Sequence, residues 1–259
     1  MKATLVVFLV FLAVSVPIYL FAPTAGIDLF GNLGQLTALL FSAVSFWQAR
    51  MSTRDRFYQR TTVRIALGLC IWTLGQLMVT YSELLLHKSP YGTVSSSFFV
   101  LGYALIALAL ISLLKHSWGQ VSKEKSHSYI VQAFVLGVLA SLIIFVKVGN
   151  PFLQTERDLV WQVLDLLYPF FDTAIMLIAF LLLRQAWDQN EIAKAKAYVC
   201  LLVAFVLLEA CDLMTRDAEF ESVIYRAVDV LYFTSYFLIA FSGRYFTRAL
   251  WKNEFAHNL

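Results

Sequence analysis

Charge is scarce in this sequence. Only 14% of its 259 residues are Asp, Glu, Lys or Arg, while 60% are hydrophobic, and its mean hydropathy is +0.72. So little polar surface cannot coat a soluble globule, and the chain therefore reads as an integral membrane protein. Cysteine is scarce too. Cys70, Cys200 and Cys211 stand in apolar runs without CxxC spacing, which points to small buried hydrophobes rather than metal ligands or a disulfide frame. The four histidines, His87, His116, His127 and His257, fall at loops or the C-terminus, so they cannot assemble a His-rich metal centre inside a membrane. No lysine lies in the last apolar run, which excludes a retinal Schiff base there. A Gly-rich phosphate loop, a Ser-His-Asp set and a haem-type His pair are also missing. These absences predict neither a metal site nor catalytic residues, and they leave any cofactor open. The net charge of +3 is small, and no nucleic-acid partner is expected.

What the chain does have is apolar length. Runs suited to a bilayer cover Thr4 to Phe21, Leu29 to Trp47, Thr62 to Leu85, Val94 to Leu114, Ser128 to Val146, Val160 to Leu183, Ala197 to Met214 and Val223 to Ser242. They predict an all-α integral membrane protein, an eight-helix transmembrane bundle forming one domain over residues 1–259, with halves at 1–120 and 121–259. The first run resembles a signal peptide, with Lys2 ahead of it. However, Ala22-Pro23-Thr24-Ala25 is a poor cleavage site, so the run is read as a retained helix. Eight spans nearly use up the length, so any output is expected to come from a separate cytoplasmic partner.

Basic residues orient the bundle. Lys88, Lys147, Arg157, Arg216 and Arg226 fall on one side, and the other fifteen of the 20 Lys and Arg lie at the termini or in the alternate loops. The positive-inside rule then places both termini in the cytoplasm of a bacterial inner membrane. Trp47, Trp118, Trp187 and Trp251 sit near the predicted inner boundary, as an interfacial belt in contact with membrane lipids would.

The halves also resemble each other. Gly26-Ile27-Asp28-Leu29 matches Val163-Leu164-Asp165-Leu166, and the same offset sets Gln35 on Asp172. Ser96 to Ile106 aligns with Asp229 to Ile239, setting Tyr103 on Tyr236. Two parallel four-helix repeats, related by an axis along the membrane normal, would account for both matches, and sites in such folds lie between the halves.

Trp161, Asp165, Tyr168 and Asp172 recur at spacings of four, three and four, which sets them on one face of the sixth run. A carboxylate facing hydrocarbon costs at least ~2.5 kcal/mol, so this face must look into protein or water. Glu209 and Asp212 on the seventh run and Asp229, Tyr232 and Tyr236 on the eighth lie at similar depth. Asp28, Asn32, Gln35, Gln76, Tyr81 and Glu83 do the same in the first half. The pattern predicts an outward-open acidic cup that takes a small cationic or polar ligand, or a proton. A purely structural arrangement is the competing reading for Asp212 and Asp229, with Arg216 and Arg226 as their partners. Pro169 frees the carbonyl of Asp165 and is either a tolerated kink or a hinge beside the acids.

Trp72-Thr73-Leu74-Gly75, Tyr81 and Glu83, Ser89-Pro90, Gly102-Tyr103, Leu167-Tyr168-Pro169 with Asp172, Cys211-Asp212, and Asp229 with Tyr232 and Tyr236 together resemble the multi-span N-terminal sensory regions of bacterial diguanylate cyclases and histidine kinases. The likeness runs from Arg64 to Arg244. It implies a receptor-like helical bundle of unknown ligand and does not imply an enzyme, and no enzymatic activity is expected. In that family an acid accompanies the Pro-Ser pair that opens the fourth span, and Pro90 to Ser97 carries none here. A small proton- or cation-coupled transporter, with Asp165, Asp172 and Glu209 as coupling groups, and an intramembrane lipid-acting enzyme are the alternative readings.

Overall fold

The computed structural model describes residues 2–21, 24–86, 94–119, 121–149, 159–217 and 223–256. They form eight α-helices, with no strand among the described residues: α1 Lys2–Phe21, α2 Thr24–Met51, α3 Arg56–Leu84, α4 Val94–Trp118, α5 Lys123–Ile144, α6 Leu159–Asp188, α7 Ile192–Asp217 and α8 Val223–Ala256. A π-helical turn, Phe145–Gly149, extends α5. Six stretches are long and apolar enough to cross a membrane: Gly26–Met51, Arg56–Leu84, Val94–Trp118, Lys123–Lys147, Leu167–Asp188 and Ile192–Met214. This is the signature of a multi-pass membrane protein.

Six of the eight apolar runs lie within a helix, the run to Leu85 passes the end of α3 by one residue and the run to Val146 ends in the π-helical turn, but most helices outrun their apolar stretch at the end where α1 starts and α8 finishes. The greatest excess is in α8, which continues from Ser242 to Ala256. Hydropathy marks the depth of hydrocarbon, whereas a helix ends where its backbone is capped. At the start of α3 the Asp55 carboxylate accepts the Phe57 N–H at 2.7 Å, a standard N-cap. Between α6 and α7, Asn190 adopts φ 54°, a left-handed conformation that Asn tolerates. There the Glu191 N–H reaches back to the Ala186 carbonyl at 2.9 Å, closing α6 in a Schellman-type cap.

α2, α3, α4, α6, α7 and α8 close into a ring in that order, each packed on the next and α8 returning to α2. α1 lies outside against α8 and α2, and α5 lies outside against α6. Two contacts fix the register of α4 beside α6: the Tyr168 hydroxyl donates to the Ser96 carbonyl at 3.1 Å, and Ser117 donates to Gln185 at 2.5 Å. α2 runs beside α8 in the same parallel sense, joined by Gln35 to Asp229 at 2.9 Å, Ser42 to the Tyr236 carbonyl at 2.5 Å and Arg244 to Gln48. Small residues permit the closest approaches, as is usual where helices pack without a hydrophobic driving force. Gly68 on α3 meets Gly102 on α4, and Gly243 on α8 meets Ser45 on α2.

The distribution of polarity is inverted relative to a soluble bundle. Asn32, Gln35, Ser42, Ser45, Gln76, Asp172, Ser235 and Ser242 are buried, while Leu40, Leu67, Leu74, Leu101, Leu108 and Val203 face outward. Lipid accepts the apolar surface, and the interior must satisfy the polar groups. Trp47, Trp187 and Trp251 are among the exposed side chains at the predicted boundary.

Candidate functional site

The ring's centre is aromatic. Trp72 on α3 is, among the described residues, the largest fully buried side chain, and its indole N–H donates to the Phe99 carbonyl at 2.9 Å. Its ring meets Tyr103 edge-on at 4.6 Å, Phe205 at 6.2 Å and Tyr236 at 6.1 Å. Tyr103 in turn stacks on Phe171 at 5.7 Å and lies 6.3 Å from Phe205. Side chains from α3, α4, α7 and α8 thus close the middle of the ring, at spacings where aromatic pairs attract.

Asp172 sits against this layer with no exposed surface. Neither of its oxygens meets a hydrogen-bond partner of ordinary geometry, and its polar neighbours are Tyr103, Glu209 and Asp212. Glu209 on α7 is 9% exposed. Across from it the Tyr232 hydroxyl donates to Asp212 at 2.5 Å, and the Tyr232 and Tyr236 rings stack at 6.4 Å. Three carboxyls and three phenols from α4, α6, α7 and α8 therefore converge. Such a set can hold a proton or hydrogen-bond a cationic donor, since carboxylates only accept and phenols do both.

A second polar group lies between α1, α2, α3 and α8. Asp229 accepts from Gln35 at 2.9 Å and from the Tyr19 hydroxyl at 3.4 Å. Asn32 donates to Glu83 at 2.8 Å and accepts from Thr80 at 2.9 Å and Gln76 at 3.3 Å. Amides and hydroxyls cover these acids, so this group is a satisfied network of the kind that fixes helix packing.

The sequence thus predicts one cup, and the structure divides its residues between two groups. Asp172, Glu209, Asp212 and Tyr232 join the first, while Gln35, Glu83 and Asp229 join the second. Tyr168 donates to the Ser96 carbonyl and its ring lies 6.0 Å from that of Tyr103 in the first group, while Tyr81 points outward with 54% of its surface exposed. Trp161 and Asp165 belong to α6, but their side chains lie outside the described residues, as do those of Arg216 and Arg226, the expected partners of Asp212 and Asp229. Ser89-Pro90 and the loops expected to frame the cup's mouth also lie outside them. Pro169 is buried within α6, one turn before Asp172. Tyr19 was not singled out in the sequence, where the first run is read only as a retained helix. Tyr103 carried two signals, its alignment with Tyr236 and its place in the Gly102-Tyr103 pair of the family resemblance.

Gly31 tests the second group. A Cβ at this position would fall 2.6 Å from Asp229 Oδ2, the oxygen that accepts from Tyr19, so Gly31→Ala must displace that carboxyl and disturb its hydrogen bonds to Tyr19 and Gln35. The expected loss is ~1–2 kcal/mol, the cost of disturbing a hydrogen bond to a charged group. Gly34→Ala meets only ordinary contacts at 3.5 Å or more and should stay within ~0.5 kcal/mol of wild type. Thermal unfolding of both variants followed by circular dichroism measures the difference, and equal midpoints would contradict the placement of Asp229.

No family model matches the chain, and no curated protein or solved structure matches it either.

Proposed function

We propose that this chain is a membrane sensory module whose first polar group, centred on Asp172, takes a proton or a small cationic or polar ligand from outside a bacterial cell. Binding is relayed by helix movement about Pro169 to a cytoplasmic signalling partner. The observation that carries the reading is Asp172 itself, a fully buried carboxyl without an ordinary hydrogen bond. Ionisable groups are costly to keep at such positions unless a proton, cation or donor occupies them. All eight helices cross the membrane in this reading, with both termini in the cytoplasm, as the basic residues favour.

A two-fold repeat supports a site between the halves. Shifting the chain by four helices carries the ring order onto itself, with α1 and α5 as the equivalent outer helices. Trp72–Tyr236 at 6.1 Å and 58° then corresponds to Phe205–Tyr103 at 6.3 Å and 56°. Likewise Gly31 against Asp229 corresponds to Tyr168 against Ser96. Gln35 falls on Asp172 and Gln76 on Glu209, so amides in the first half stand where acids stand in the second. The asymmetry favours one ligand per chain.

Sensing is favoured over transport by what lies beyond Asp172. Going from Asp172 to Gln185 covers ~20 Å of α6 at 1.5 Å per residue, and Ile175, Ala179 and Leu182 fill its buried face. A transporter needs a polar path there. The test is the melting temperature of the detergent-purified protein across pH and a panel of cations and amines, for wild type, Asp172→Asn and Glu209→Gln. A ligand that binds only the folded state stabilises it by ~2.7 kcal/mol at a hundred times its Kd, and the melting temperature rises accordingly. The expected result is stabilisation by one class and its loss in both variants. Identical shifts in wild type and variants would end the proposal.

A further inference from the structure

At the opposite end of the ring a cavity of about 120 Å³ lies between α3, α4, α6 and α7, several times the space of one water. It is independent of the Asp172 group, and its wall is rich in donors. Gln185 is 2% exposed, and its side-chain Nε2 has no partner although its Oε1 accepts from Ser117 at 2.5 Å. If the amide were turned round, the buried end without a partner would be its oxygen, so one end of Gln185 remains to be satisfied in either orientation. Lys194 gives one N–H to Glu191 at 2.7 Å and one to the Tyr58 hydroxyl at 3.4 Å. An ammonium has three donors, which leaves a third. The His116 ring is held in place, stacked on Phe57 at 4.1 Å and edge-on to Tyr58 at 6.0 Å. The α6–α7 cap at Asn190 fixes Glu191 on one side and Ala186 on the other, so Gln185 and Lys194 face the same space from two braced helices.

We propose that this cavity is a binding site for a small oxyanion, a phosphate or carboxylate group, held by Lys194, His116 and Gln185. Oxyanions carry several acceptor positions and no donors when fully ionised, which matches a wall where donor-bearing side chains, Lys194, His116 and Gln185 among them, outnumber the one lining carboxylate, Glu191, already engaged by Lys194. The end of the bundle concerned also carries most of the chain's Lys and Arg residues, which raises the local concentration of anions. The group can come from a free anion or from a phospholipid headgroup, since pockets between membrane helices near a basic interface suit both.

The experiment uses the full chain in neutral detergent, with inorganic phosphate and acetate as probes and chloride at matched ionic strength as the reference. Phosphate or acetate should raise the melting temperature saturably where chloride does not. Lys194→Gln should reduce the shift by more than half, and Gln185→Leu should abolish it. His116→Gln, a milder change, should weaken apparent affinity several-fold and guards against a Gln185 variant that fails to fold. Reconstitution into phosphatidylglycerol and phosphatidylcholine vesicles separates the sources: stabilisation by phosphatidylglycerol alone, sensitive to the same substitutions, assigns the site to a lipid headgroup, and stabilisation by free phosphate in phosphatidylcholine assigns it to a soluble anion. Equal shifts with chloride, or shifts unchanged in Lys194→Gln and His116→Gln, would overturn the proposal.

Discussion

Asparagine in place of Asp172 is expected to raise the melting temperature of the ligand-free protein, the reverse of what a buried polar substitution does in most cores. The wild-type carboxyl has no exposed surface and no ordinary hydrogen bond, and an ionised carboxylate so placed carries a penalty of several kcal/mol. An amide of the same shape in the same place is uncharged, and its unsatisfied cost is nearer ~1–3 kcal/mol. The difference amounts to about 2 kcal/mol in favour of the variant, or roughly 4–8 °C for a chain of this size. Asp172→Leu should go the same way, because well-packed apolar replacements of buried charges are often stabilising by ~1–4 kcal/mol. A drop of similar size in both variants would instead make Asp172 a structural acceptor for Tyr103, and the proposed site would lose the group it is built on.

The second large effect is steric. A Cβ on Gly102 would fall 2.2 Å from Trp72 Cδ1, 2.6 Å from its Nε1 and 2.7 Å from the Gly68 carbonyl. Two of these neighbours belong to a wholly buried indole and the third to backbone, so none can yield without moving α3 from α4. Gly102→Ala should therefore cost ~1–3 kcal/mol in overpacking, with a further ~1 kcal/mol if the Trp72 bond to Phe99 breaks. Trp72→Phe gives up that bond and some volume but opens space beside residue 102. The double variant Gly102→Ala/Trp72→Phe should accordingly be more stable than the sum of the single losses implies, by 0.5 kcal/mol or more, since the two residues are in contact. Additive losses, or an unperturbed Gly102→Ala, would show that α3 and α4 are not packed through this contact.

Some of this architecture was legible in the residues and some was not. All eight apolar runs coincide with helices to within a residue or two, because long apolar stretches in a chain this poor in charge have few other fates. Asp172, Glu209 and Asp212 were legible as a converging set because acids in apolar runs are rare and their helical spacing reports a shared face. What was not legible is rotation about each helix axis. Lipid and protein interior are both apolar, so the outward Leu74 and Leu101 look no different in sequence from the inward Leu69 and Leu110. Asp229 was consequently grouped with Asp212, although the structure turns it toward Gln35 and Tyr19. Tyr81 was placed in the cup for the same reason. The close approach of Gly68 and Gly102 left no trace either, since a glycine in a membrane helix is common whether or not a neighbour presses on it.

The aromatic layer also has an electrical meaning. Trp72, Tyr103, Phe205 and Tyr236, with the apolar stretch beyond them, make the middle of the ring a region of low polarisability relative to water. A potential applied across the membrane must fall partly over that region. A charge held beside Asp172 then stands part of the way down the field, and a full traverse is worth about 2.3 kcal/mol per elementary charge for each 100 mV. At half depth the work is about 1 kcal/mol, roughly a sixfold change in occupancy at fixed external concentration. A proton or cation bound there would report the energised state of the membrane along with its own abundance outside.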